Sequence, residues 1–224
     1  MTEHGADEAR DPARYLVPAQ QHRVAQVINR SRFICTVLRV QTSVEAQLFI
    51  KAMHVEFPDA THNCWAYVVG APGSTDRVGM SDDGEPHGTA GRPMLTVLLH
   101  SGIGEIAAVV TRYYGGIKLG TGGLVKAYGG VVQEALTGMP RAERVDSVDV
   151  LVQVGYAAIG ALQQLWPEFE AELLEQRFEV DAEFSVRVPR ARLPAMVRAI
   201  QNATRGAAVL TRIVTPDERS RTAN

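Results

Sequence analysis

The order of elements along this chain predicts an α+β protein of two domains. In the first half, a strongly apolar strand runs into a glycine-rich turn that opens a helix. In the second half the order becomes strand, helix, strand, strand, helix, strand. Between them "MPRAERVDS", residues 139–147, combines a proline with charges and no apolar run, and it reads as a linker. The expected domains are therefore 15–138 and 148–215. Residues 1–14 read as a disordered tail and 216–224 as a second tail.

Each element follows from its local pattern. "HRVAQVINRSRFICTVLRV" is two β-rich runs broken at Asn29–Arg30–Ser31, a hairpin. "SVEAQLFIKAMHVEF" is a helix capped by Ser43, with Val44, Leu48, Phe49, Ala52 and Met53 at helical spacing. "HNCWAYVVG" is a strand by its aromatic and β-branched content. An acidic loop precedes a helix near 91–101, which tolerates Pro93 in its first turn. "EIAAVVTRYY" is apolar enough to be a strand covered on both faces. The glycine cluster that follows it opens a helix over roughly 123–137.

Beyond the linker, "SVDVLVQV", "EAELLEQRFE", "AEFSVRV" and "GAAVLTRIV" are strands, and "YAAIGALQQLW" and "ARLPAMVRAIQNA" are helices. That βαββαβ order is the split-βαβ, ferredoxin-like layout.

Composition narrows the function. The 224 residues are 46% hydrophobic, enough to build these cores, and the formal net charge is −2. Nucleic-acid binding would therefore have to come from a local basic patch. Cys35 and Cys64 are the only cysteines, too few for a disulfide framework or a cysteine-rich zinc site. The opening "MTEHGADEARDPARY" has no apolar core of a signal peptide, and no segment approaches the ~20 apolar residues of a membrane span. A soluble protein of the reducing cytoplasm is expected.

Two stretches carry candidate chemistry. In "TRYYGGIKLGTGGLVKAY" (Thr111 to Tyr128), Gly115, Gly116, Gly120, Gly122 and Gly123 lie between a buried strand and a helix. Such a turn bares backbone N–H groups at a helix N-terminus, which suits an anion. It is not a P-loop, because Thr121 follows Gly120 where lysine is required, and Gly120-x-Gly122 lacks the third glycine of a dinucleotide fingerprint. Arg112, Lys118 and Lys126 accompany the glycines with no acid between Arg112 and Lys126. Lys126 falls in the first turn of the expected helix, where a cation is unfavourable unless an anion is shared. The plainer alternative is a tight connection with solvated cations. Gly129 and Gly130, inside the helix, read as a point of close backbone packing.

In "SDDGEPHGTAGRPML" (Ser81 to Leu95), Asp82, Asp83, Glu85 and His87 are candidates for metal binding or proton transfer. The same Asp–Gly and Glu–Pro pairs also make turns for local reasons, and the spacing fits no metal motif. His62 and Cys64 share a strand face, but side chains two residues apart run parallel, roughly 6–7 Å between Cβ atoms. Cys64 reads as a buried, unreactive thiol. His54 and His100 read as ordinary helix residues. No catalytic residue, metal ligand or cofactor is assigned.

Together these stretches, with "NRSRFI" and "THNCWAYVVG", resemble the signature of the YigZ/IMPACT family over about residues 15–215. The resemblance implies a first domain in the superfamily that holds a ribosomal-protein domain, domain IV of elongation factor G and the GHMP kinases. It implies a ferredoxin-like second domain like those of elongation factor G, and a link to translation. The chain is expected to have no room for the N-terminal RWD domain of eukaryotic members, so the resemblance does not by itself imply their protein partners. Three functions stay open: a non-enzymatic module contacting RNA or the translation machinery, an enzyme for a small phosphorylated or acidic substrate, and a protein-binding regulator.

Overall fold

The computed structural model describes residues 14–213, which divide into two compact units between Arg144 and Val145. The expected tails lie outside the described residues, except that Arg14 already opens a strand. Both units mix helices with antiparallel sheet, an α+β architecture.

The first unit runs β1 (Arg14–Pro18), β2 (His22–Ile28), β3 (Ser31–Arg39), α1 (Ser43–Glu56), β4 (His62–Val68), β5 (Val78–Ser81), α2 (Gly91–His100), β6 (Ile106–Tyr113), α3 (Gly120–Gly138) and β7 (Arg141–Val145). Its main sheet has the order β2-β3-β6-β4-β5, and every neighbouring pair is antiparallel. The crossover through α1 does return β4 parallel to β3, but β6 is inserted between them and pairs antiparallel with both. The β2–β3 hairpin turns at Asn29 and Arg30, both with positive φ (47° and 66°), the two-residue geometry that matches strand twist.

Along β6, side chains alternate between two cores. Ala108 and Val110 join Phe33, Cys35, Cys64, Met94, Leu98, Leu124 and Tyr128 beneath α2 and α3. Ala107 and Val109 join Phe49, Ile50 and Met53 beneath α1. A strand buried on both faces needs a continuous apolar run, and β6 supplies one.

Three local expectations are corrected. The cap of α1 is Thr42, whose hydroxyl accepts from the Glu45 amide, rather than Ser43. Its buried face is Ala46, Phe49, Ile50 and Met53, while Val44, Leu48 and Ala52 face outward. The segment 139–147 is not bare linker. It holds β7, paired with β1, together with a buried Met139. Alternating exposed charges at Arg141 and Glu143 conceal the strand in the sequence.

The second unit runs β8 (Ser147–Val154), α4 (Ile159–Glu168), β9 (Glu172–Phe178), β10 (Ala182–Pro189), α5 (Leu193–Ala203) and β11 (Val209–Ile213). Its sheet order is β11-β8-β10-β9, again antiparallel throughout. Val148, Val150, Val152 and Val154 pack with Phe184, Val186, Leu162, Trp166, Met196 and Ile200 on one face. On the other face Arg187 holds Asp149 at 2.9 Å and Gln153 hydrogen-bonds Glu183.

Candidate functional site

The acidic loop and the glycine-rich stretch meet. Glu85 is buried between them, and its Oε1 accepts from Arg112 Nη1 at 2.5 Å and from the Tyr128 hydroxyl at 2.7 Å. Arg112 projects from β6, Tyr128 from α3, and Glu85 follows a tight turn closed by its own amide on the Asp82 carbonyl at 2.9 Å. Asp83 and Gly84 supply the positive φ values (43° and 85°) that this turn demands. The second nitrogen of Arg112 donates to Ser31 Oγ at 3.2 Å, and its Cζ lies 5.3 Å from the Phe33 ring and 5.5 Å from the Tyr114 ring.

Arg112 is therefore compensated, although no acid stands between it and Lys126 in the sequence. It is 5% exposed and ion-paired with an acid 27 positions away. A buried charge persists only when paired and hydrogen-bonded, and Glu85 meets that need. One group is left over, because Arg112 Nε–H is buried with no acceptor among the described residues.

The three acids have separate tasks. Asp82 caps α2, its carboxylate accepting from the Gly88, Ala90 and Gly91 amides at 2.7, 3.0 and 2.9 Å. Burial works to raise this carboxyl, but those three amides with His87 alongside hold it below the usual aspartate value. Asp83 accepts from the Asn63 amide at 2.6 Å. Among the described residues, no three His, Cys, Asp or Glu side chains are grouped to hold a metal ion.

His62 and Cys64 point to different partners. His62 Nδ1 lies 2.7 Å from the Asp83 carbonyl, and its Nε2 is 4.0 Å from Glu85. The Cys64 thiol lies 2.9 Å from the Asp82 carbonyl and 3.4 Å from the Tyr128 hydroxyl. Burial first of all pushes the Cys64 thiol and the Tyr128 hydroxyl well above their usual values. Both stay protonated, and neither is a nucleophile with an oriented base.

Above the ion pair opens a pocket of about 420 Å³, lined by Glu85, Pro86, Arg112, Tyr114, Lys118, Leu119, Gly120, Thr121 and Leu124. Helix α3 starts at Gly120, earlier than expected, with Leu119 at the N-cap and no side chain capping it. Gly120, Gly122 and Gly123 thus form the first turn, and the leading amides of a 19-residue helix lie at the pocket wall. Lys118 is exposed on that wall. Lys126, expected in the first turn, stands in the second and does not line the pocket.

The glycines differ in purpose. A Cβ on Gly115 would sit 2.0 Å from the Arg30 carbonyl, so the loop can rest on the β2–β3 hairpin only if this residue is glycine. Its amide donates to Ser31 Oγ at 3.2 Å. Gly116 and Gly120 take positive φ (84° and 71°). A Cβ on Gly122 would meet only open space, and one on Gly123 would lie 3.0 Å from Leu119 Cβ. Gly129 and Gly130 are not forced by close packing as expected, since a Cβ would be 3.8 Å from Val97 at the first and in open space at the second.

Residues 29–136, which contain every residue of this site, match the Impact N-terminal domain, and residues 152–207 match a domain of unknown function, DUF1949. "IMPACT family member YigZ" of Escherichia coli (strain K12) is 38% identical over 192 residues, covering 86% of this chain and 94% of its own. The chain belongs to the IMPACT family. A second IMPACT relative, from Haemophilus influenzae, is 43% identical over 75% of this chain and 82% of its own. "IMPACT family member YvyE" of Bacillus subtilis is 42% identical over 76% of each. A solved structure described as a hypothetical protein matches with a TM-score of 0.65 and 38% identity, over 90% of this chain and 98% of that one.

Several residues of this IMPACT site escape a reading of the sequence alone. Tyr128 and Leu124 look like core positions of a helix, and they are, but Leu124 also lines the pocket and Tyr128 holds Glu85 beneath it. Ser31 lies in the quoted "NRSRFI" stretch, but nothing in the sequence pairs it with Arg112 or Gly115. Tyr114 was signalled only by its place between the apolar strand and the glycines.

Proposed function

We propose that this IMPACT-family protein is a non-enzymatic cytosolic binding protein that contacts RNA or the RNA-bearing translation machinery through the pocket at the start of α3. The observation that carries this reading is the uncapped α3 N-terminus beside exposed Lys118, in a pocket whose one acid, Glu85, is already neutralised by Arg112. Unsatisfied amides, the positive end of a helix dipole and a lysine all favour a phosphate there. Tyr114, Pro86 and Leu119 supply apolar surface beside it for a base.

The fold fits the same reading. The split β-α-β arrangement of the first unit supports membership of the superfamily shared with a ribosomal-protein domain, elongation factor G domain IV and the GHMP kinases. The order β11-β8-β10-β9 supports a ferredoxin-like second unit. Two free, buried cysteines suit a reducing cytoplasm. The pocket volume favours one second reading, an enzyme or carrier for a small phosphorylated substrate at the same place.

The test is fluorescence anisotropy of a labelled single-stranded RNA across a salt series. A site engaging one or two phosphates should lose about three- to sevenfold in affinity between 50 and 200 mM salt. Lys118→Glu should weaken binding by about tenfold, whereas Lys126→Glu, outside the pocket, should cost less than about threefold. Equal binding by wild type and Lys118→Glu, or none by wild type at low salt, would refute the RNA reading.

A further inference from the structure

We infer that the protein associates with a second copy of itself through β9, the free edge of the second unit's sheet, about a two-fold axis that passes through Gln176. The inference is independent of the phosphate pocket, whose lining belongs wholly to the first unit. Strand β9 (Glu172–Phe178) stands last in the order β11-β8-β10-β9 and pairs only with β10. Its outer row of N–H and C=O groups therefore has no strand partner among the described residues. Such a row is a template for another strand, and proteins commonly blunt it with lysine, proline or a very short edge. β9 is seven residues long, exposed throughout, and contains neither lysine nor proline. Its bulge lies against Ser185 and Val186, which leaves residues 175–178 in regular register. Leu174 and Phe178 are 40% and 52% exposed, and the Tyr156 ring stacks on Phe178 at 6.4 Å, widening an apolar rim along the edge.

The sequence of the edge identifies the partner. In an antiparallel pair, both residues of a hydrogen-bonded pair turn their N–H and C=O groups toward each other. Along an edge only alternate residues point outward, so a strand pairing with its own copy sets odd positions against odd and even against even. The two-fold axis then passes through a residue, which leaves few registers. An axis at Glu175 sets that acid against itself. One at Arg177 sets that cation against itself and Glu175 against Glu179. An axis at Leu174 sets Leu173 against Glu175 and leaves Phe178 beyond the facing strand.

An axis at Gln176 satisfies every position. Glu175 faces Arg177 of the second copy, Leu174 faces Phe178 of the second copy, and symmetry repeats both pairs. Gln176 faces itself, and its amide both donates and accepts. Opposite charges and apolar side chains directly across a ladder are the stabilising pairs of a sheet, and a two-fold interface requires this self-complementarity. Arg177 already bonds Glu175 on its own strand at 2.8 Å and stands opposite Glu183 on β10. The second copy extends that row of alternating charge.

Sedimentation equilibrium of the full-length protein across a concentration series tests this, with circular dichroism confirming that each variant is folded. Wild type should show a monomer–dimer equilibrium. In Glu175→Arg the changed position faces Arg177 of the second copy, and in Arg177→Glu it faces Glu175, so each variant alone meets like charge. Each should raise the dimer dissociation constant by about tenfold or more. Mixing the two variants places opposite charges across the ladder again and should restore dimers with one chain of each. A wild type that stays monomeric up to about 100 μM overturns the inference. So do single variants that dimerise as tightly as wild type, or a mixture that associates no better than its components.

Discussion

Glu85 and Asp82 lie three residues apart, yet their removal should have different consequences. Glu85→Ala leaves the Arg112 guanidinium buried without its counter-charge, the situation in which breaking an ion pair costs about 3–5 kcal/mol. Chemical denaturation of the variant should show a loss of that size, and a loss under about 1 kcal/mol would mean that water or another acid replaces Glu85. Asp82→Asn weakens a helix cap, at a cost of about 1 kcal/mol. Because the folded Asp82 carboxyl sits below its ordinary value, its ionised form stabilises the fold at pH values above that ordinary value. The stability difference between wild type and Asp82→Asn should therefore be full near neutral pH and shrink as pH falls through the acidic range. A difference that grew on acidification would contradict the capping role. None of this pairing was legible in the sequence. Arg112 and Glu85 are separated by a helix and a strand, and only the sheet register brings them together.

At the scale of elements, the glycine-rich connection is two structures in succession. Gly115 belongs to a loop pressed on the β2–β3 hairpin, while Gly122 belongs to the first turn of α3 with space around it. Gly115→Ala should destabilise the protein by more than about 2 kcal/mol, because backbone must move to admit the methyl group. Gly122→Ala should be neutral or stabilise by up to about 1 kcal/mol, since alanine is the better helix former. Thermal melts of the two variants would distinguish these outcomes, and equal melting points would show that the loop yields at Gly115. The sequence indicated a strand, a glycine cluster and a helix here. It could not indicate that the helix begins at Gly120, because glycine carries no start signal of its own. A similar ambiguity misled the reading of α1. Val44, Leu48 and Ala52 repeat at helical spacing as well as Ala46, Phe49, Ile50 and Met53 do, and only the sheet decides which stripe is covered.

For the whole molecule, both domains were legible in outline, because long apolar strands and periodic helices carry their own signal. The antiparallel order of the first sheet and the strand β7 were not, since pairing partners are set by tertiary contacts and β7 is rich in charge. In the proposed function RNA contact falls to the first unit, at the start of α3, and the second unit takes no part in holding phosphate. The most direct test follows backbone amides of the full-length protein by ¹⁵N–¹H NMR while a short single-stranded RNA is added. If RNA binds at the start of α3, the largest shifts fall at Gly120, Thr121 and Gly122, with the Lys118 amide moving alongside, and they are lost in Lys118→Glu. Shifts confined to the strands and helices of the second unit, with the α3 amides unmoved, would contradict it.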